Sequence, residues 1–237
     1  MGASNSKPDK VPVLGSAEEN PLSIIPVFRT SLRESYTVSK KTVLKLKPNS
    51  ILSVESNIVD TRGFYVFRKT GSFLSCCLEF SDDAGNVLAT VENKIRCLET
   101  TAWIKLGDSS GDVVATLVHH YRGKNSKVFI YIHQDPLPLE ETECSRRNPN
   151  IKVVGDIGSH QFYFKMADKK IAQVQRSTEN QMYSLEVGPN TDIAFITICT
   201  AAIDLIHLRS SLTPLDLCCC FFGSEFIDEE PEDEETD

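Results

Sequence analysis

Export and redox signals are missing from this chain of 237 residues, and each absence narrows its setting. There is no Asn-x-Ser/Thr glycosylation acceptor, and residues 1–20 are polar, without the apolar stretch of a secretory signal. No two of the eight cysteines stand in C-x-x-C spacing, which removes the usual zinc and thioredoxin-type patterns. Thiols without an export signal fit a reducing cytosol. Catalytic signatures are missing as well: no G-x-S-x-G, no P-loop, no H-E-x-x-H and no Rossmann glycine pattern. The expectation is a protein that is not an enzyme, with no catalytic residue, metal or cofactor.

A basic excess is also lacking. The formal net charge is −8, but eight of the 33 acids lie in residues 228–237, which leaves 25 acids against 25 Lys plus Arg in the rest. A body so balanced does not hold nucleic acid by neutralising phosphates.

What is present is a run of short β signals. Segments 42–46, 64–68, 73–80, 113–118, 128–133, 161–165 and 171–176 are rich in Val, Ile, Phe and Tyr, and several alternate apolar with polar. Polar turns at 61–63, 82–86 and 108–112 separate them. Residues 135–149, with three prolines, read as a long exposed loop. A weak repeat runs through 83–91, 109–117 and 167–174: a polar turn, then an apolar strand with alanine at one fixed place. Hairpins of any antiparallel sheet share that form.

One segment departs from the β pattern. Residues 193–203 are uncharged and apolar around nearly the whole circumference of a helix, so that helix must be enclosed. It is too short to cross a bilayer, which takes about 20 residues. Asn190 or Thr191 is placed to cap it, Asp192 suits its positive start, and His207 and Arg209 suit its end.

Many antiparallel strands followed by one all-apolar helix resembles the tubby C-terminal-like superfamily, and within it the LURP-one-related family. The resemblance rests on Gly63-Phe-Tyr-Val-Phe67, on Asp83-Ala-Gly-Asn86 with Leu88 and Thr90, and on Lys94 with Leu98 and Trp103. Val187-Gly-Pro-Asn-Thr-Asp192 and the helix from Ala194 to Asp204 complete it. It implies a mainly β fold: a closed antiparallel barrel of about twelve strands around a hydrophobic C-terminal helix. The domain then covers 22–208 with its helix at about 192–208, between a flexible arm at 1–21 and an extension at 209–237.

The arm begins Met1-Gly2-Ala3-Ser4-Asn5-Ser6-Lys7, the pattern of an N-myristoylation acceptor at Gly2. One such chain anchors only marginally, so a second membrane signal is expected. Lys7, Lys10, Lys40, Lys41, Lys45 and Lys47 are one candidate; S-palmitoylation of Cys218, Cys219 and Cys220 is the other. The same three cysteines also read as an apolar end packed on the domain. Tubby relatives bind phosphoinositides through clustered Lys and Arg. The resemblance thereby makes Arg68, Lys69, Arg122, Lys124 and Lys127 headgroup candidates, with Lys169 and Lys170 as a further pair. Each also reads as an ordinary solvated cation at a strand end.

Other residue groups carry less. His119 and His120 are strand neighbours, so they face opposite ways and cannot share a metal. His133, His160 and His207 stand alone in sequence, Cys76 and Cys77 split across a strand, and Asp82 and Asp83 read as turn residues. Calcium-dependent scrambling, found in the same superfamily, needs several oxygen ligands before the last helix. Residues 183–192 supply Glu186 and Asp192, so scrambling is not supported. The expected protein is a non-catalytic binding or scaffold module on the cytosolic face of a membrane, the plasma membrane first. Its partner is a phosphoinositide or other anionic headgroup, or a protein. A membrane-released transcriptional regulator entering the nucleus is the alternative, prompted by the acidic tail beside Phe221, Phe222 and Phe226.

Overall fold

The computed structural model describes residues 36–48, 55–72, 77–96, 99–120, 127–133, 148–176 and 182–210. A short strand, β1 (Thr37–Val38), comes first. The chain then runs up and down through β2 (Thr42–Leu46), β3 (Ser56–Asp60), β4 (Tyr65–Ser72), β5 (Cys77–Asp82), β6 (Val87–Arg96) and β7 (Glu99–Leu106). It continues through β8 (Val113–His120), β9 (Lys127–Ile132), β10 (Ile151–Asp156), β11 (Gln161–Met166), β12 (Lys169–Arg176) and β13 (Tyr183–Val187). A second short strand, β14 (Thr191–Asp192), leads into α1 (Ile193–Ser210).

Each strand from β2 to β13 pairs antiparallel with the next, and β13 pairs with β2, so the twelve-stranded sheet closes on itself. Closure places Tyr183 opposite Leu46 and Val187 opposite Thr42. It leaves the twelve-stranded sheet without an edge strand. The expected closed barrel is therefore what forms.

Turn chemistry sets the hairpins. Asp60, Asp82 and Asp108 each close a turn by accepting backbone N–H groups on a carboxylate oxygen, from Arg62 and Phe64, from Asn86, and from Ser110. Gly63 and Gly85 take φ of +85°, a left-handed conformation in which a side chain would be strained. Asp82 thus ends a strand and organises the turn after it, in line with its expected role.

The helix fills the barrel. Every residue from Ile193 to Ile206 is buried. The hydroxyls of Thr197 and Thr200 donate back to the Ile193 and Ile196 carbonyls at 2.6 and 2.8 Å, so even the polar residues bring no unmet group into the core. Ile193, Phe195, Ile196, Ile198, Ile203, Leu205 and Ile206 are at most 6% exposed. Such side chains contribute about 1.5–3 kcal/mol each, together comparable to the whole net stability of a domain, about 5–15 kcal/mol. The repeat's fixed alanines now have a reason beyond the likeness of hairpins. Ala89, Ala115 and Ala172 all lie at inward positions with no exposed surface, and β6 and β8 are among the strands the helix approaches most closely. Small residues there leave room for it.

The cap differs from expectation by one or two residues. Asp192, rather than Asn190 or Thr191, accepts the Phe195 N–H at 3.0 Å. The reason is β14: its pairing with β1, Thr37 opposite Asp192, keeps the chain extended up to that residue. Asn190 instead takes φ of +57° in the preceding turn. No helix among the described residues is long and apolar enough to cross a membrane.

Burial raises the Asp192 carboxyl to about 6, partly offset by the Phe195 and Ala194 backbone donors. Its folded value lies above its unfolded one near 3.8, so its contribution to stability is fully present below about pH 4 and lost as pH rises through about 6. Asp192→Asn keeps the acceptor oxygen without the charge. The variant should match or exceed the wild type in thermal stability at pH 7 and show a flatter stability profile between pH 4 and 6. A lower melting temperature at pH 7 with an unchanged profile would show that the charge itself is needed.

Candidate functional site: the polar end of the barrel

The helix enters the barrel beside the turns after β3, β5 and β7 and ends at the opposite, exit end, where β10 turns into β11. The lumen changes character there. Along β4, Phe67 points inward, so Lys69 two residues later does too, and it is 2% exposed. On β6 the inward series Ala89 and Val91 continues to Asn93; on β8 Ala115 and Leu117 lead to His119. On β3 Ser56 shares the inward parity of Ile58 and lies opposite Lys69. A polar layer thus replaces the apolar one.

Asp204 on the helix is its hub. The Tyr183 hydroxyl donates to Asp204 Oδ2 at 2.6 Å, and His160 Nε2 lies 3.1 Å from Oδ1. The His160 ring stacks on Tyr183 with centroids 4.8 Å apart. Burial holds the Tyr183 hydroxyl well above its usual range, and the Asp204 charge and hydrogen bond push the same way. Burial lowers the Lys69 amine to about 8, while Asp204 pulls it back up; its Nζ donates to the Lys47 carbonyl at 3.2 Å. Burial takes His119 down to about 4, with His207 and His120 adding to the effect. His207 is lowered by burial too, against the pull of Asp204. His160 and His207, separate in sequence, therefore meet around one carboxylate. The Ser56 hydroxyl and both amide atoms of Asn93 are buried without a hydrogen-bond partner.

The cluster is centred on Asp204 and its two partners, Tyr183 and His160. Its contacts join the last turns of the helix to the barrel wall, so what it does is seat the helix at one depth. No group of His, Cys, Asp and Glu among the described residues is arranged to hold a metal ion. Glu186 and Asp192 are otherwise engaged, Glu186 with Lys41 at 2.8 Å and Asp192 as the helix cap.

Of the residues expected as headgroup contacts, Arg68, Lys69 and Lys127 lie among the described residues. Arg68 and Lys69 are strand neighbours on opposite faces: Arg68 is on the outside, paired with Glu55, and Lys69 is in the lumen. Arg68 borders a shallow groove shared with Glu79, Asp82 and Asp83, an acidic neighbourhood. Lys127 is exposed at the start of β9. Arg122 and Lys124 lie outside the described residues, as do Gly2, Cys218, Cys219, Cys220, Cys76 and nearly all of the 135–149 loop. Sequence reasoning missed the Tyr183–Asp204–His160 cluster, and the only signal was a carboxylate in an otherwise apolar helix. His119 and His120 do face opposite ways, one inward and one against the Phe129 ring at 5.3 Å.

Two substitutions separate the roles in this layer. Tyr183→Phe removes a donor from a buried carboxylate and should cost about 1–3 kcal/mol in urea unfolding. Lys69→Met removes an amine whose charging burial disfavours. The folded value is depressed below the unfolded one near 10.5, so the wild type gains stability as pH rises from about 8 to 10 and the Met variant should lack that gain. Parallel profiles for the two proteins would place Lys69 in water.

Comparison with known proteins follows the same lines. The LURP-one-related family pattern matches residues 35–204. No curated protein matches in sequence. A crystal structure of an Arabidopsis thaliana protein superposes with a TM-score of 0.52 at 16% identity, covering 73% of this chain and 94% of that one, a likeness of fold. A twelve-stranded barrel closed around one helix is the arrangement expected of the tubby-like superfamily. The family pattern spans most of the chain, from just before β1 to the Asp204 hub, and on that ground the chain belongs to the LURP-one-related family.

Proposed function

We propose that this chain is a membrane-tethered binding module, acylated at Gly2, whose barrel meets its partner with its outer surface and connecting loops. The observation that carries the second half is the filled lumen: the helix fills the interior with side chains that are 0–1% exposed from Ala194 through Ile203. A barrel packed this way is not a carrier with an internal ligand cavity. Recognition falls to exposed groups, and anionic headgroups or an acidic protein surface suit the outward lysines.

The tether rests on Gly2, Ser6 and Lys7, well ahead of Tyr36, where the described residues begin. Tyr36 packs on Phe67 at the entry end, with ring centroids 5.7 Å apart. One acyl chain gives weak, reversible binding, so the lysines or the acylated Cys218, Cys219 and Cys220 supply the rest. On this reading the protein sits on the cytosolic face of a membrane.

Gly2→Ala removes the acceptor and touches nothing in the barrel. In eukaryotic cells the wild type should carry the added acyl mass. The variant should lose it, keep its melting temperature and leave the membrane fraction several-fold more completely. A wild type of unmodified mass, fractionating like the variant, would overturn the reading.

A further inference from the structure

Charge at the entry end is divided. Over β3 to β8 the turns present Asp60, Asp83, Asp108 and Asp112. On the other side, over β10 to β12 and the start of β2, stand Lys152, Lys165, Lys169, Lys170 and Lys41. Register makes part of this a row: Lys152 pairs with Lys165, and Lys165 with Lys170, across three adjacent strands. Strands lie about 4.8 Å apart, so the row is about 10 Å long.

Like charges directly opposite each other in a sheet destabilise it, so fold stability does not explain the row. Two carboxylates temper it: Asp168, 3.2 Å from Lys165, and Glu186, held by Lys41. Lys170 is fixed in place by Gln173 and lies 5.4 Å from the centre of the Tyr163 ring. Lys152 is exposed. Residues 1–227 as a whole are balanced, 25 acids against 25 Lys plus Arg, so the row is a local surplus of positive charge.

We propose that the occupant is the chain's own acidic run, residues 228–237, docked on the lysine row. That run holds eight carboxylates in ten residues, the largest concentration of negative charge in the sequence. Reach favours it. The helix ends at Ser210 at the exit end and is about 27 Å long, at 1.5 Å per residue. Residues 211–227 then form the tether, and a flexible chain of that length has an end-to-end distance of about 23 Å. A tether that matches its span gives an effective concentration in the millimolar range, so a weak site suffices. The acidic turns on the opposite side repel the run and give the docking its direction. While it is docked, the row is closed to any other polyanion, so the run is a built-in competitor. None of this depends on acylation at Gly2.

Zero-length carbodiimide coupling of the full chain, mapped by mass spectrometry on the monomer, tests it. At low salt the carboxylates of 228–237 should couple to Lys152, Lys165, Lys169 or Lys170 several-fold more than to Lys45, Lys47 or Lys127. High salt should abolish the preference. Lys152→Gln/Lys165→Gln/Lys170→Gln should abolish it too, without lowering the melting temperature. A chain ending at residue 227 should bind the free peptide 228–237 in trans, while the full chain should not. Coupling spread evenly over the exposed lysines, coupling only between molecules, or equal peptide binding by both chains would overturn the proposal.

Discussion

Pairing of β13 with β2 and enclosure of α1 are a single constraint. A helix apolar on every face cannot exist in water, and a sheet of twelve strands cannot close stably around nothing. Each supplies what the other lacks. The helix provides the large side chains that fill the lumen, and the sheet provides inward alanines where the two approach most closely. At either end one carboxylate marks where the helix begins and stops: Asp192 in the cap, and Asp204 held by Tyr183 and His160.

How much of this could be read beforehand follows from how local each signal is. Strands such as Thr42–Leu46 and Gln161–Met166 were legible because alternation and turn residues are nearest-neighbour properties. The enclosed helix was legible because its apolar run leaves no polar face. The cap was misplaced by one or two residues, since β14 pairs with β1, which lies far earlier in the chain. The polar layer was legible only as the lone carboxylate of Asp204 after an apolar run. Lys69, Ser56, Asn93, His119, His160, Tyr183 and Asp204 come from separate strands, one turn and the helix, and only closure brings them together. For the same reason Arg68 and Lys69, adjacent and alike in sequence, have unrelated surroundings: strand parity sends one outward and one inward.

The two ends of the barrel divide the work. The exit end is inward-looking, its charged groups spent on seating the helix, with Lys69 and His119 held away from their usual protonation ranges by burial. The entry end is outward-looking, with acids on one side and lysines on the other. With the lumen filled, this surface asymmetry is what the described part of the barrel presents to its surroundings.

Chain order gives the filled lumen a further meaning. The residues that fill the centre of the barrel come last: β13 ends at Val187 and the helix starts at Ile193, after every barrel strand has been made. During synthesis the whole wall emerges with its apolar lining uncovered, and Leu46 must wait for Tyr183 before the sheet can close. Contacts this distant in sequence form slowly. A nascent chain of this kind therefore stays sticky, and dependent on chaperones, until its final turns leave the ribosome. A premature stop after residue 188 would yield every strand of the barrel and no folded protein, so fold completion itself checks that translation has reached the helix.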